Sequence, residues 1–512
     1  IRNDNAYNPA SPDDAQHTTQ ITIIDPTDKV HLHGGGAINH NINVTVIRED
    51  RGERLASAVV FAGNKAAVLD QYDKGVTDGN GMTVISGSGV ATGPVTLTIG
   101  APGYETQTLI GLNAQDVTVL LARKVPEPPT PTFGVISGGV TGWANAQFPS
   151  GADQNRYFRV AQIYASDENP NTPNVPPGVE AWAMERGTCN LTLFDGTPAL
   201  VDGSYSLNSF PGTHAVLAIV FYWDSYDGVC GNNPVWTAAG CPAPNNACEG
   251  WLSGYIGAVF GIRTDITVPE GDGNVGDQNI NLNHSMFDYS TSFSNNPTVA
   301  GANYTAYTAD AYLSVGSSGS FTFMAAVKGD PQGISFGPVP ALVQGWSYTV
   351  HGYVGMPILD GTGNIVDFTL PVTHSFQRGL TNVTPPRLTN WIYFLNNLSY
   401  TKPANTEGRF TFGRTGGASV NDDGFTAIGV FHVDTTSVIP LWSVLAAGDR
   451  QTIELPDLTG ETGIDNIPTG NHKFSALQAK VPSFNFNELV ADDRTSLNWS
   501  AAVQSAPMDL TR

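Results

Sequence analysis

Asn43-Val-Thr-Val-Ile47 alternates polar and apolar residues, and Asp116-Val-Thr-Val-Leu-Leu121 repeats the pattern. Between them lie Ala56-Ser-Ala-Val-Val-Phe61, Met82-Thr-Val-Ile85, Val95-Thr-Leu-Thr-Ile99 and Glu105-Thr-Gln-Thr-Leu-Ile110. Successive side chains of a strand face opposite sides, so alternation gives one apolar face and one polar face. Each run is short, β-branched and bounded by Gly, Asn, Asp or Pro, which is how strands and turns are punctuated. About six such runs in about eighty residues predict a small β-sandwich.

Three further stretches carry a family resemblance. Gly75-Val-Thr-Asp-Gly-Asn-Gly81 supplies the positive φ values that a tight hairpin needs before a strand. Gly93-Pro-Val-Thr-Leu97 and Ala101-Pro-Gly-Tyr-Glu105 follow, the latter offering the Tyr104 ring to a core. Together they resemble the carboxypeptidase-regulatory-like, transthyretin-like β-sandwich, over about residues 42–123. The resemblance implies a fold and no catalytic role, since such modules accompany other domains as spacers or stabilisers.

The same idiom runs through the rest of the chain. Short β-rich runs alternate with polar loops, and Gly 56 and Pro 34 are spread among them as turn punctuation. The expected fold class is therefore all-β, in tandem sandwiches of immunoglobulin or transthyretin-like kind. Lys124-Val-Pro-Glu-Pro-Pro-Thr-Pro-Thr132 favours extended polyproline and reads as a linker. The expected division is an extended arm at 1–30, a first sandwich at 31–123, the linker at 124–132, and a loop-rich β-domain at 133–285. Residues 286–512 read as one large sandwich or two fused ones. One helix is expected, over 487–506, where Leu489, Val490, Leu497, Ala501 and Ala502 share a face at helical spacing.

Charge narrows the partners. Asp and Glu number 46 against 24 Lys and Arg, for a net charge of −22. Nucleic acid needs clustered cations, so that class is excluded, and an anionic membrane surface is disfavoured for the same reason. No apolar run approaches the ~18 residues of a membrane-spanning helix. The first residue is Ile, which is expected of a processed chain. Cys189, Cys230, Cys241 and Cys248 are expected to form two disulfides, in a pairing that spacing does not decide. Disulfides place the protein outside the cell or on its surface.

Two clusters are candidates for metal binding. His31, His33 and His40 fall in a Gly-rich entry to the first sandwich, and two imidazoles at i and i+2 of a strand share a face. A solvated loop is the plainer reading. Asp360, Thr362, Asn364 and Asp367 offer oxygen ligands in the spirit of a Ca²⁺ loop but match no EF-hand, and hairpin turns use the same residues. No other cofactor is expected. No G-x-S-x-G, H-E-x-x-H, Walker or C-x-x-C-H motif occurs, so no catalytic residue is nominated.

The arm holds one strand-like run, Thr19-Gln-Ile-Thr-Ile-Ile24, in which Ile21 and Ile23 share a face beside Ile24. Such a segment can complete another chain's sheet edge. The leading expectation is a non-catalytic extracellular structural protein that associates with itself, as a cell-surface layer or filament, through this arm. A carbohydrate-binding or adhesive protein using surface glycans is the alternative, motivated by loop aromatics such as Trp143, Trp236, Trp251, Trp391 and Trp499. An extracellular hydrolase with accessory β-modules is the third reading.

Overall fold

The computed structural model describes residues 31–512 apart from 50–51, 64–72, 91, 125–133, 147–156, 167–179, 185–202, 210, 225–258, 270–272, 299–304, 326, 360, 362–364, 383, 385, 405, 415, 418–419, 421–422, 434–437 and 491–498. Strands β1 to β31, numbered in chain order, account for the regular structure, with a few 3₁₀ turns and no α-helix among the described residues.

The runs that open the sequence form the first sandwich. One face is a four-stranded sheet in the order β1-β8-β2-β5, built from His33–Gly34, Asp116–Leu121, Asn41–Arg48 and Met82–Ser86 respectively. Along β2 the residues Ile42, Val44 and Val46 are buried, while the residues between them are half-exposed, as the alternation requires. Opposite lie β3 (Val59–Gly63), β4 (Asp73–Val76), β6 (Val95–Gly100) and β7 (Thr106–Leu112). The Asp78 turn is where it is expected, but it does not close a hairpin: β4 and β5 lie in different sheets, and the turn carries the chain from one face to the other. Asp78 Oδ1 accepts from the backbone N–H of Asn80 at 2.9 Å and of Met82 at 3.0 Å. Gly81 sits at φ +68, where a Cβ would come within 2.8 Å of the Val46 carbonyl oxygen.

The second face does not stop at residue 123. β7 pairs in parallel with β27 (Val438–Ala447), Trp442 opposite Thr106 and Ala446 opposite Ile110. The sheet thereby continues through β26 (Gly424–Val433), β29 (Asn471–Lys480), β30 (Ala501–Gln504), β22 (Ile365–Leu380), β21 (Ser347–Leu359) and β18 (Ala306–Ser314) to β19 (Ser320–Met324), and with β31 (Met508–Thr511) paired to β29 it has thirteen strands. Parallel pairing needs cover on both faces. β3 reads as an unbroken buried run because Val60 and Ala62 enter one core and Val59 and Phe61 another. The first core unites Ile42, Val44 and Leu97 with Phe425, Leu445 and Leu489, and a second unites Val59 and Phe61 with Phe410, Trp442 and Phe474.

The expected boundary at 285 is crossed likewise. β14 (Val259–Val268) pairs with β17 (His284–Phe293), and Leu217 and Phe260 share a core with Tyr289, Tyr307 and Val350. A helix is expected over 487–506, but among the described residues of that stretch there is no α-helix. Phe486–Glu488 forms a 3₁₀ turn, residues 491–498 lie outside the described part, and Ala501–Gln504 is a strand between β22 and β29. Ala501, Ala502 and Val503 are fully buried because β30 is covered on both faces, and that removes the alternation that marks a strand.

Candidate functional site

The described chain begins at a sheet edge. His33 and Gly34 pair with Val117 and Asp116 of β8, and the Leu32 carbonyl accepts from the Thr118 N–H of the same strand before a bend at Leu32 turns the chain. There the N–H groups of Leu32 and His33 donate to the Leu489 carbonyl at 2.8 and 3.0 Å, and His31 bridges Val490. The His33 imidazole anchors this corner. It is buried, with Nδ1 2.7 Å from the Phe486 carbonyl oxygen and its ring edge-on to Phe486 at 5.1 Å. Beside it opens a cleft of about 390 Å³ lined by His31, His33, Gly34, Asp116, Thr118 and Glu488, among others. Gly35, at φ +75, is held so close that a Cβ would meet Asp116 Oδ2 at 2.2 Å.

This geometry separates the three candidate histidines. The bend at Leu32 breaks the strand that would have aligned His31 with His33, leaving His31 exposed and His33 inside. His40 is exposed, at φ +65 in the turn before β2. Among the described residues no group of three or more His, Cys, Asp or Glu side chains is gathered as for a metal ion. Of the oxygen-ligand candidates, Asp360, Thr362 and Asn364 lie outside the described residues. Asp367 is placed by its backbone alone, on β22 opposite Ile358. Cys189, Cys230, Cys241 and Cys248, and the arm with Ile21, Ile23 and Ile24, also lie outside the described residues. Trp391, one of the loop aromatics, is buried and donates Nε1–H to the carbonyl of Ser294 at 3.1 Å.

The densest polar cluster was not nominated from the sequence. β18, β21 and β22 lie side by side, which sets Asp310 opposite His351 and Tyr353 opposite His374. Tyr353 and Tyr312 both donate to Asp310 Oδ2, Tyr312 at 3.3 Å. His351 Nδ1 lies 3.9 Å from the same oxygen, and its Nε2 is 2.9 Å from His374 Nδ1, so the two rings share one proton between these atoms. Phe376 stacks on His351 at 3.8 Å. Burial pushes the Asp310 carboxyl up to about 6 against the pull of the two tyrosine hydroxyls. Burial also lowers His374 to about 4, and it holds His351 well below its usual value with help from His374 and Arg378. Both rings are therefore neutral near pH 7. Asp310 Oδ1, Ser320 Oγ and Ser375 Oγ are buried without a hydrogen-bond partner. The cluster ties β18, β21 and β22 together through side-chain hydrogen bonds.

An enclosed ion pair holds the end of the last strand. Arg512 Nη2 meets Glu407 Oε2 at 2.9 Å, and Glu407 Oε1 accepts from the Ile467 N–H at 3.0 Å. Burial raises Glu407 to about 7 although Arg512 pulls it down.

No protein-family model matches the chain, and no curated protein matches it. Solved structures give faint likenesses. The shaft pilin SpaA of Lactobacillus rhamnosus GG is 11% identical, with a TM-score of 0.12 over 48% of this chain and 98% of that one. The fimbrial protein FimP of Actonomyces oris is 10% identical, TM-score 0.14, over 70% and 98%. BcpA, the major pilin subunit of Bacillus cereus, is 10% identical, TM-score 0.13, over 69% and 98%. TM-scores this low establish no shared architecture.

Proposed function

We infer that the protein is an extracellular, self-associating structural subunit whose residues 1–30 dock on a neighbouring copy. The observation that carries this reading is the bend at Leu32. A strand formed by the arm on its own molecule would extend the β1–β8 ladder. The Leu32 carbonyl still accepts from Thr118 of β8, but the N–H groups of Leu32 and His33 donate to Leu489 and His31 bridges Val490, so the β1–β8 ladder ends at Leu32. Thr19 to Ile24 is a short uncharged run of the kind that completes a sheet edge. The polar residues ahead of it keep the arm soluble until it docks. Such an arm-to-body contact is heterologous, and its repetition yields an open assembly.

Extracellular placement rests on the four closely spaced cysteines, and the first sandwich is read as a carboxypeptidase-regulatory-like spacer. The test is deletion of residues 1–28, followed by electron microscopy and sedimentation. Loss of assembly supports the reading, and unchanged assembly removes it.

A further inference from the structure

If the arm leaves one copy, some edge on the next must receive it. The four-stranded sheet of the first sandwich has two edges. The arm departs beside β1 at one of them. At the other lies β5, Met82–Ser86, hydrogen-bonded to β2 and, among the described residues, to no other strand. Its inward residue Ile85 is buried, as a sandwich strand requires. Its outward residues are the anomaly. Met82 is 44% exposed and Val84 60%, and Val76, just before the turn, is 53% exposed. Edge strands are ordinarily protected by charge, and this one carries none from Asn80 to Val90. Among the other edges, β4 carries Asp73 and Lys74, and β19 turns Phe321 inward while exposing Thr322.

We propose that β5 is the acceptor edge, and that residues 19–24 of a second copy add to it as a fifth strand. The inference rests on the arm reading above. Three observations select this occupant. Two copies each carrying −22 repel, so they meet best where both surfaces are uncharged, and residues 15–24 match β5 in carrying no Asp, Glu, Lys or Arg. Ile21 and Ile23 share a face, as Met82 and Val84 do, so an added strand lays its isoleucines beside the two exposed side chains. Lastly, the described chain starts on the far side of the four-stranded sheet from β5, so each docking step leaves a fresh acceptor edge on the next copy. A strand added beyond the molecule's own β5 would lie four strand spacings from β1, about 19 Å. Ile24 to His31 reaches about 24 Å when fully extended, so docking on its own β5 would draw that link almost straight across the sheet's outer face.

The experiment compares four full-length preparations by sedimentation and electron microscopy: the unaltered chain, a deletion of residues 1–28, Val84→Lys, and an oxidised mixture of Ile23→Cys with Val84→Cys. Val84 is exposed, so Val84→Lys is expected to unfold at the same temperature as the unaltered chain while losing assembly as completely as the deletion. The mixture is expected to give a disulfide joining one Ile23→Cys chain to one Val84→Cys chain, mapped by peptide mass. If the deletion abolishes assembly while Val84→Lys assembles normally and no mixed disulfide forms, the arm reading stands and β5 is the wrong edge. If the deletion assembles normally, both fall. Should Val84→Lys fail to fold, the mixed disulfide decides: its formation supports β5, and its absence overturns it.

Discussion

Trp442 donates its indole N–H to the hydroxyl of Thr108 at 2.9 Å, across 334 positions of sequence. Both residues are buried, and Thr108 Oγ1 lies 3.1 Å from Thr98 Oγ1 on the next strand. The contact sits at the parallel junction of β7 and β27, where the first sandwich becomes continuous with the last third of the chain.

Trp442→Phe keeps most of the ring and removes the donor. It should cost about 1 kcal/mol of unfolding free energy, the net worth of one buried hydrogen bond. Trp442→Ala should cost about 3–5 kcal/mol, since it also leaves a cavity. Urea unfolding followed by fluorescence measures both. Equal losses for the two variants would mean that the hydrogen bond, and not the ring, carries the junction.

Arg512→Ala removes the counter-charge of Glu407, which has no solvent exposure and titrates at about 7 even with that charge beside it. Breaking one half of a buried pair costs roughly 3–5 kcal/mol. Adding Glu407→Gln should restore part of the loss, because a neutral amide is cheaper to bury than an unpaired charge. A thermal-melt comparison checks this, and a double variant less stable than Arg512→Ala alone would be inconsistent with it.

Asp310 gives a pH signature. Its carboxyl titrates near 6 when folded against 3.8 for the ordinary group. A raised pKa contributes stability that is complete below about 3.8 and lost as pH climbs through about 6. His374 acts in the opposite sense: its contribution is complete above 6.5 and lost as pH falls through about 4. Asp310→Asn removes the first trend alone. Relative to the unaltered protein, the variant should therefore gain stability as pH rises from 4 to 7, by about 2–3 kcal/mol. Denaturation at several pH values measures the slope, and parallel curves would show that Asp310 does not titrate in this range.

Cys189, Cys230, Cys241 and Cys248 should resist alkylation unless reduced. Reduction should then lower stability by about 2–4 kcal/mol per bridge. Mass spectrometry of the unreduced, alkylated chain is the check, and four labelled thiols would undo the argument for an extracellular setting.

The strands were legible where one face meets water. Asn41–Arg48 alternates in sequence and alternates in burial, and the Asp78 turn follows from its residue types. Ala501–Gln504 was misread because a strand buried on both sides loses its period, and Ala-Ala-Val then fits a helix equally well. The junction of Trp442 with Thr108 was invisible, since nothing local encodes a parallel pairing across 334 positions. The Asp310 cluster did leave a trace. Asp310 and Tyr312, His351 and Tyr353, and His374 with Phe376 and Arg378 recur at every second position of runs that otherwise read as core. The histidine trio failed for a related reason. Strand spacing placed His31 and His33 on one face, and the bend that undid it depends on Leu489, far along the chain.

The central claim is open-ended association through the arm, and sedimentation equilibrium of the full chain over a wide concentration range addresses it most directly. The account predicts an average mass that keeps rising with concentration, with no fixed stoichiometry, and that collapses to a single monomer when residues 1–28 are removed. A full chain that stays monomeric at high concentration, or stops at a closed dimer, would contradict it.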